Sequence, residues 1–284
     1  MSLLEFFFFD QPGTKIASLL SGKHKILEIM SQYTLSPSGT VNHAGVVMLS
    51  NKELLARQIT ASAENLSNSD TDGFKAFMLT STESVYKNND PTSVLKTISY
   101  VQGGEALRDL SQGTLRQTSN PYDFALNGSG YFVVQVGDQR MYTRAGRFRM
   151  DQAGNLTTMD GNPVQGDGGL INLGEYTDFS VQKNGTILAY KNGVQVVAGK
   201  VKVVGFENEQ TDLKYAGYGR YIADGEEKEA TNYSVLNGFA EGSNVNAVAE
   251  TVKLMQITRR YEESQRITDG DDELKRKTIN IKVN

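Results

Sequence analysis

Asn65-Leu-Ser-Asn-Ser-Asp-Thr-Asp-Gly-Phe-Lys75 is the stretch on which the fold turns. Asn, Ser, Asp and Gly crowd into one short span, and that chemistry stops a helix and re-aims the chain through a left-handed residue. Gly73 is the expected pivot, because a residue without Cβ enters positive φ at no steric cost. Upstream, from about Ala44 to Leu66, the composition shifts to helix formers without Pro. Met48, Leu55, Ile59 and Leu66 step by 7, 4 and 7 along it, with Lys52 and Ser62 in the intermediate places. That is an incomplete a/d-type stripe, so a helix running into a sharp turn is predicted.

Downstream the pattern changes twice. Residues 76–118 carry little signal, although Met78 to Tyr86 can be extended and Asn88-Asn-Asp-Pro91 reads as a turn. From Asp123 to about Tyr233 short β segments recur. Phe132, Val134 and Val136 alternate with Val133 and Gln135. Asn184-Gly185 and Asn192-Gly193 are hairpin turns around Thr186 to Tyr190, and Val194 to Val197 and Lys200 to Phe206 are further strands. Turn signals at Gly128-Ser-Gly130, Gly137-Asp138, Ala153-Gly-Asn155 and Asp160-Gly-Asn-Pro163 complete an antiparallel β pattern. The helical period returns after Glu241-Gly-Ser-Asn-Val-Asn246, where Asn supplies N-cap chemistry and Glu250 sits in the first turn. Val245, Val248, Val252 and Met255 step by 3, 4 and 3, and no proline follows Pro163, which lets a helix run almost to the end with Gly270 as its weak point.

Composition excludes most chemistry. The 284 residues hold no Cys and only His24 and His43, so no disulfide framework, Cys/His zinc site or thiol nucleophile can be built. Lys plus Arg number 29 against 33 Asp plus Glu, with the signs interleaved, which gives no reason for a nucleic-acid partner. No apolar run approaches the ~20 residues needed to span a bilayer, and Met1 to Asp10, despite its four phenylalanines, lacks the basic start of a signal peptide. Asp269-Gly-Asp-Asp-Glu273 lacks the spacing of a calcium loop, and Gly128-Ser-Gly130 reads as a turn. Arg259 and Arg260 beside Glu262 and Glu263 read as an inter-helix ion pair. No catalytic residue, metal or cofactor is expected.

The fold class expected is therefore α+β: a mainly antiparallel β domain inserted between N- and C-terminal helices that pair as a coiled-coil-like bundle. The boundaries are 1–42 for an atypical extension, 43–75 plus 243–284 for a discontinuous helical domain, and 76–242 for an irregular linker and β-rich outer domain. The expected helix seam comprises Met48, Leu55, Ile59, Leu66, Val248, Val252 and Met255. Neither amphipathic segment is long enough to be very stable alone, so each needs partner surface, supplied either by the other helix or by a neighbouring subunit.

The two flanking motifs resemble those of the flagellar basal-body rod and hook family. Asn65, Leu66, Asn68, Thr71, Gly73, Phe74 and Lys75, with Ala63 ahead of them, match the signature after that family's first helix. Ser243, Asn244, Val245 and Asn246, preceded by Glu241 and followed by Arg259, Tyr261 and Glu262, resemble its E-x-SNVN and R-x-YE elements. Gly113 to Asp123, Gly128 to Phe132 and Tyr142 to Phe148 continue the likeness, which spans about Val41 to Ile281. Glu64, Ser67, Gly270 and residues 1–40 depart from the family pattern. Because the family begins near Val41, the first 40 residues are read as an extension or an upstream misassignment of the start.

The resemblance implies a structural subunit of the flagellar rod, exported unfolded without a cleaved signal peptide and located in the periplasm-spanning basal body. Its implied partners are other rod subunits, proximal and distal, and the flagellar export apparatus, with no nucleic acid and no membrane insertion. Length counted from Val41 sits nearest the proximal-rod branch, and the distal rod protein is the alternative within the family. A secreted β-rich adhesin, suggested by 13 Tyr and the loop-rich centre, is the alternative outside it.

Overall fold

Helix α1 (His43–Ser67) opens the computed structural model, which describes residues 43–87 and 97–283. The extension at 1–42 and the Asn88 to Pro91 turn lie outside the described residues. β1 (Phe77–Lys87) and β2 (Thr97–Arg108) follow as a two-stranded ribbon in the segment that carries little sequence signal. Then come β3 (Leu115–Gln117), β4 (Phe124–Gly128), β5 (Tyr131–Val136), β6 (Gln139–Thr143), β7 (Phe148–Met150) and β8 (Leu156–Thr158). They are followed by β9 (Gln165–Gly166), β10 (Gly169–Leu170), β11 (Asp178–Val181), β12 (Thr186–Lys191), β13 (Val194–Lys200) and β14 (Val203–Gly205). A one-turn α2 (Glu209–Asp212) leads to β15 (Leu213–Gly217), β16 (Arg220–Ala223), β17 (Lys228–Glu229), β18 (Tyr233–Asn237) and β19 (Phe239–Glu241). Helix α3 (Ala247–Val283) closes the chain and runs through Gly270.

The described chain forms two compact units. One comprises 43–55, 81–87, 97–103 and 261–283; the other comprises Ala56–Thr80 and Gly104–Arg260. In the first, the two helices meet where the Lys52 ammonium lies 5.6 Å from the centre of the Tyr261 ring and hydrogen-bonds the Gln265 side chain. The second holds the β core. Its largest sheet has six strands in the order β15-β16-β6-β5-β14-β17 with antiparallel neighbours, and β11-β12-β13 form a separate sheet.

β5 explains why this domain is well specified. Phe132 and Val134 point into one apolar cluster with Phe124, Phe148, Leu156 and Ile187, while Tyr131 and Val133 point into a second with Tyr142, Val204 and Tyr221. Both faces are covered, which is why Tyr-Phe-Val-Val reads as a continuous apolar run rather than a clean alternation. The strand expected at Lys200 to Phe206 is broken. β13 stays paired with β12 through Lys200, Val201 bridges to Gly166, and β14 joins β5 in the other sheet.

The helical stripe also needs correction. On α1, Leu55 is buried and Met48, Ile59 and Leu66 are half-buried, but the deepest positions include Leu54, Ala61, Ser62 and Asn65. On α3, Ile257 is buried, whereas Val248, Val252 and Met255 are 76%, 44% and 50% exposed. Nine residues separate Val248 from Ile257, about two and a half turns at 3.6 residues per turn, so the two stripes lie on opposite sides of the helix. Leu254, Ile257 and Tyr261 step by 3 and 4 and Val248, Val252 and Met255 by 4 and 3, both helical spacings, and periodicity alone does not say which stripe faces its own chain. No helix of the described residues is long and apolar enough to cross a membrane.

Burial also sets the alkaline limit of the fold. The phenols of Tyr131, Tyr142 and Tyr221 are pushed well above their ordinary value of 10.0, first by desolvation; Glu209 adds to it at Tyr131 and Glu227 at Tyr142. Above that ordinary value the unfolded chain releases these protons while the native chain keeps them. Each group then lowers stability by about 1.4 kcal/mol per pH unit. With three such groups, cooperative unfolding is expected between about pH 11 and 13, with a step of phenolate absorbance coinciding with loss of the β circular-dichroism signal. Smooth ionisation of every tyrosine with the dichroism unchanged would contradict the buried cluster.

Candidate assembly junction

The two motifs meet within the second unit. Near the end of α1 the buried amide of Asn65 behaves like a piece of backbone: Phe77 N donates to Asn65 Oδ1 at 2.6 Å and Asn65 Nδ2 donates to Phe77 O at 2.9 Å. A second bond from Nδ2 reaches Glu250 Oε1 of α3 at 3.4 Å. Leu66 is half-buried beside it. Asn68 closes the helix, donating from Nδ2 to Glu64 O at 2.8 Å and accepting from Thr71 Oγ1 at 3.2 Å.

Gly73 turns the chain at φ +69°, and a Cβ placed there would lie 2.3 Å from Ala145 N and 2.6 Å from Arg144 C. Both the dihedral and the close approach of the 144–145 backbone exclude a side chain. Its N–H donates to Glu241 O at 2.8 Å, which stitches the first motif to the second. Phe74 is fully buried, edge-on to Tyr215 at 6.2 Å, and Tyr215 continues through Tyr221 to Tyr131 in edge-to-face steps of 5.7 Å each. The turn is thereby wedged into the second apolar cluster.

Lys75 and Glu241 form an ion pair of 2.6 Å with both side chains wholly buried. Lys75 Nζ also donates to Ser111 O at 2.7 Å, and Glu241 Oε1 accepts from Gly113 N at 3.0 Å. The buried Arg144 guanidinium stands 3.6 Å from Glu241 Oε2 and donates to Gly128 O at 2.8 Å. Desolvation pulls the Lys75 ammonium below its ordinary value, opposed by the Glu241 carboxylate. A carboxylate between two buried cations is a clamp: any strand that shifts leaves a charge without its counter-charge.

The returning chain is fixed by asparagines. Asn244 Oδ1 accepts from Ala76 N at 2.7 Å while its Nδ2 donates to Asp109 O at 2.8 Å, bridging the bases of β1 and β2. Ser243 Oγ accepts from Val245 N at 3.1 Å, and Val245 is half-buried. Asn246 Oδ1 accepts from Ala249 N at 3.1 Å, the geometry of an N-cap on α3. Arg259 and Glu262 are exposed further along. None of Arg259, Arg260, Glu262 and Glu263 enters an ion pair among the described residues, so the inter-helix pair expected there is absent and Lys52 over Tyr261 takes its place.

Arg108 is the residue that sequence reasoning missed. Its guanidinium lies 4.0, 4.8 and 5.4 Å from the ring centres of Tyr215, Phe77 and Phe74, pairs with Glu64 at 2.8 Å and donates to Lys75 O at 3.1 Å. It therefore ties α1, the turn and the ribbon together, and Glu64 gains a partner. Asp72 likewise holds Arg116 and Arg147, each at 2.9 Å. An arginine in a segment without period leaves no signal of this kind. Glu241 enters the sequence only as the first residue of its motif, and the signal for the pair is an acid in one motif and a lysine in the other.

Comparison with known proteins matches two family models. Residues 125–189 match the flagellar hook protein FlgE/F/G D1 domain, and residues 236–281 match the C-terminal region of the flagellar basal body rod FlgEFG proteins. The flagellar basal-body rod protein FlgF of Caulobacter vibrioides is 31% identical over 248 residues, covering 84% of this chain and 97% of the relative. FlgF of Salmonella typhimurium is 28% identical over 82% of the chain and 95% of its own length. FlgG of Buchnera aphidicola subsp. Acyrthosiphon pisum is 32% identical over 81% and 96%.

Proposed function

Since the chain belongs to the flagellar basal-body rod family and is a structural subunit of that rod, not an enzyme, we propose that it is a FlgF-type, proximal subunit polymerising through its terminal helices to carry torque. It assembles with other rod and hook subunits in the basal body. The reading extends to export unfolded through the flagellar apparatus, without a cleaved signal peptide, and to the helical segments 43–75 and 243–284 acting together as the assembling body, with 76–242 as the outer domain.

One observation carries the polymerisation reading. α3 places Val248, Val252 and Met255 in solvent on the side away from Ile257, in a chain whose other exposed helical positions are mostly polar. A stripe of large apolar side chains at helical spacing stays in water only until a neighbour covers it. The junction supports the same reading, because its buried clamp fixes the start of α3 and hence the direction in which that stripe is presented.

Val252→Asp tests this. The residue is exposed in the single chain, so its thermal midpoint should stay within about 2 °C of the parent. A charge in the covered seam should nevertheless exclude the variant from the rod and abolish swimming. Basal bodies carrying Val252→Asp at parental levels would sink the assignment of this stripe.

A further inference from the structure

Asn-Gly occurs four times in the chain, at 127–128, 184–185, 192–193 and 237–238. Such a pair carries chemistry of its own. The amide nitrogen of the glycine can attack the asparagine Cγ, and a residue without Cβ leaves that approach unhindered. The fold decides which of the four is free to react, because the attacking nitrogen must first give up any hydrogen bond it donates.

Three of the four are restrained at both residues. Gly128 N donates to Gln112 Oε1 at 3.2 Å, and Asn127 is paired with Ser234 across β4 and β18. Gly185 N donates to Gln182 O at 2.9 Å, while Asn184 Oδ1 accepts from Thr186 N at 3.0 Å. Gly238 N donates to Asp123 O at 2.8 Å, while Asn237 Nδ2 donates to Pro121 O at 2.6 Å. The fourth forms the tip of the β12–β13 hairpin, closed by the Lys191–Val194 pair, and both its residues are exposed. Neither the Asn192 amide nor the Gly193 N–H makes a hydrogen bond among the described residues. Beyond its chain neighbours, no atom lies within 4 Å of where a Gly193 Cβ would sit.

We propose that Asn192 is a site of spontaneous modification, converted through a cyclic imide to aspartate and isoaspartate. Gly193 N loses its proton to hydroxide and bonds to Asn192 Cγ; the Cγ–Nδ2 bond then breaks and ammonia leaves. Water opens the ring at either carbonyl, so a water enters for each ammonia lost and neither oxidant nor reductant is needed. The product places a negative charge beside Lys191, which pairs with Glu175. In the isoaspartyl form the backbone carries an extra CH2 inside a two-residue turn, whose length sets the register of β12 against β13.

The test uses the full native chain, incubated at mildly alkaline pH, with the same chain in denaturant as the reference. Peptide mapping by mass spectrometry follows the gain of about 1 Da at each site, and electron-transfer fragmentation separates isoaspartate from aspartate. Each hydrogen bond that must open first lowers the reactive population, by up to about tenfold. The native rate divided by the rate in denaturant should therefore be at least about tenfold higher at Asn192 than at Asn127, Asn184 or Asn237, with isoaspartate among its products. A smaller ratio against any of the three, no conversion of Asn192 in the native chain while the denatured chain converts it, or aspartate without isoaspartate would each overturn the proposal.

Discussion

Gly73→Val is expected to cost about 2–5 kcal/mol, because two penalties fall on one atom. A β-branched residue at φ +69° pays about 1–2 kcal/mol for the left-handed region, and a Cβ 2.3 Å from Ala145 N forces apart backbone that cannot rotate away, for a further 1–3 kcal/mol. The damage should be local. The bond from Gly73 N to Glu241 O breaks first, while the atoms nearest the added Cβ belong to the 144–145 backbone rather than to the apolar clusters around β5. Hydrogen exchange should therefore show lost protection at 73–77 and 241–246 with β5 and β6 still protected, and swimming should be lost. Unchanged exchange at the junction, or normal motility, would contradict the role given to this turn.

Glu241→Gln should be comparably severe. The substitution is nearly isosteric but leaves Lys75 and Arg144 buried together with no counter-charge. Breaking one side of a buried ion pair costs about 3–5 kcal/mol, a large fraction of the 5–15 kcal/mol that holds a domain together. In a denaturant titration the midpoint should fall markedly. Combining it with Lys75→Met should cost less than the sum of the two single changes, since the double variant removes one of the stranded cations. Strict additivity of the two would mean that the pair is not a coupled unit.

The chain punctuation was legible before any coordinates. Asn192-Gly193 turned as a hairpin because both residues take positive φ, and Asn246 capped α3 because its side chain is short enough to reach the third N–H of the helix. Gly73 was identifiable for the same reason, since a local steric rule acts on one residue at a time. What pattern reading failed to supply was pairing between distant segments. β5 is apolar on both faces, so its alternation is masked, and β13 leaves its sheet at Lys200 without any break in the run of Val and Gly that follows. α3 carries two apolar stripes, both at helical spacing, and only the position of α1 and β1 decides which is covered.

The junction was half legible for the same reason. Its residues stood out by resemblance, but the physical unit is a set of contacts between them and three residues outside the two flanking motifs: Arg108 on β2, which no motif contains, and Gly113 before β3 and Arg144 after β6, which lie in the stretches that continue the likeness. Burial of Lys75 and Glu241 at opposite ends of the chain has no local signature, because a charged residue is ordinarily a surface residue.

The most direct test of the central claim is an electron cryomicroscopy map of purified basal bodies at side-chain resolution. The account predicts this chain within the rod, with Val248, Val252 and Met255 of α3 covered by a neighbouring subunit and the Lys75–Glu241 clamp intact. A map in which the chain is absent from the rod, or in which that stripe faces solvent, would contradict it.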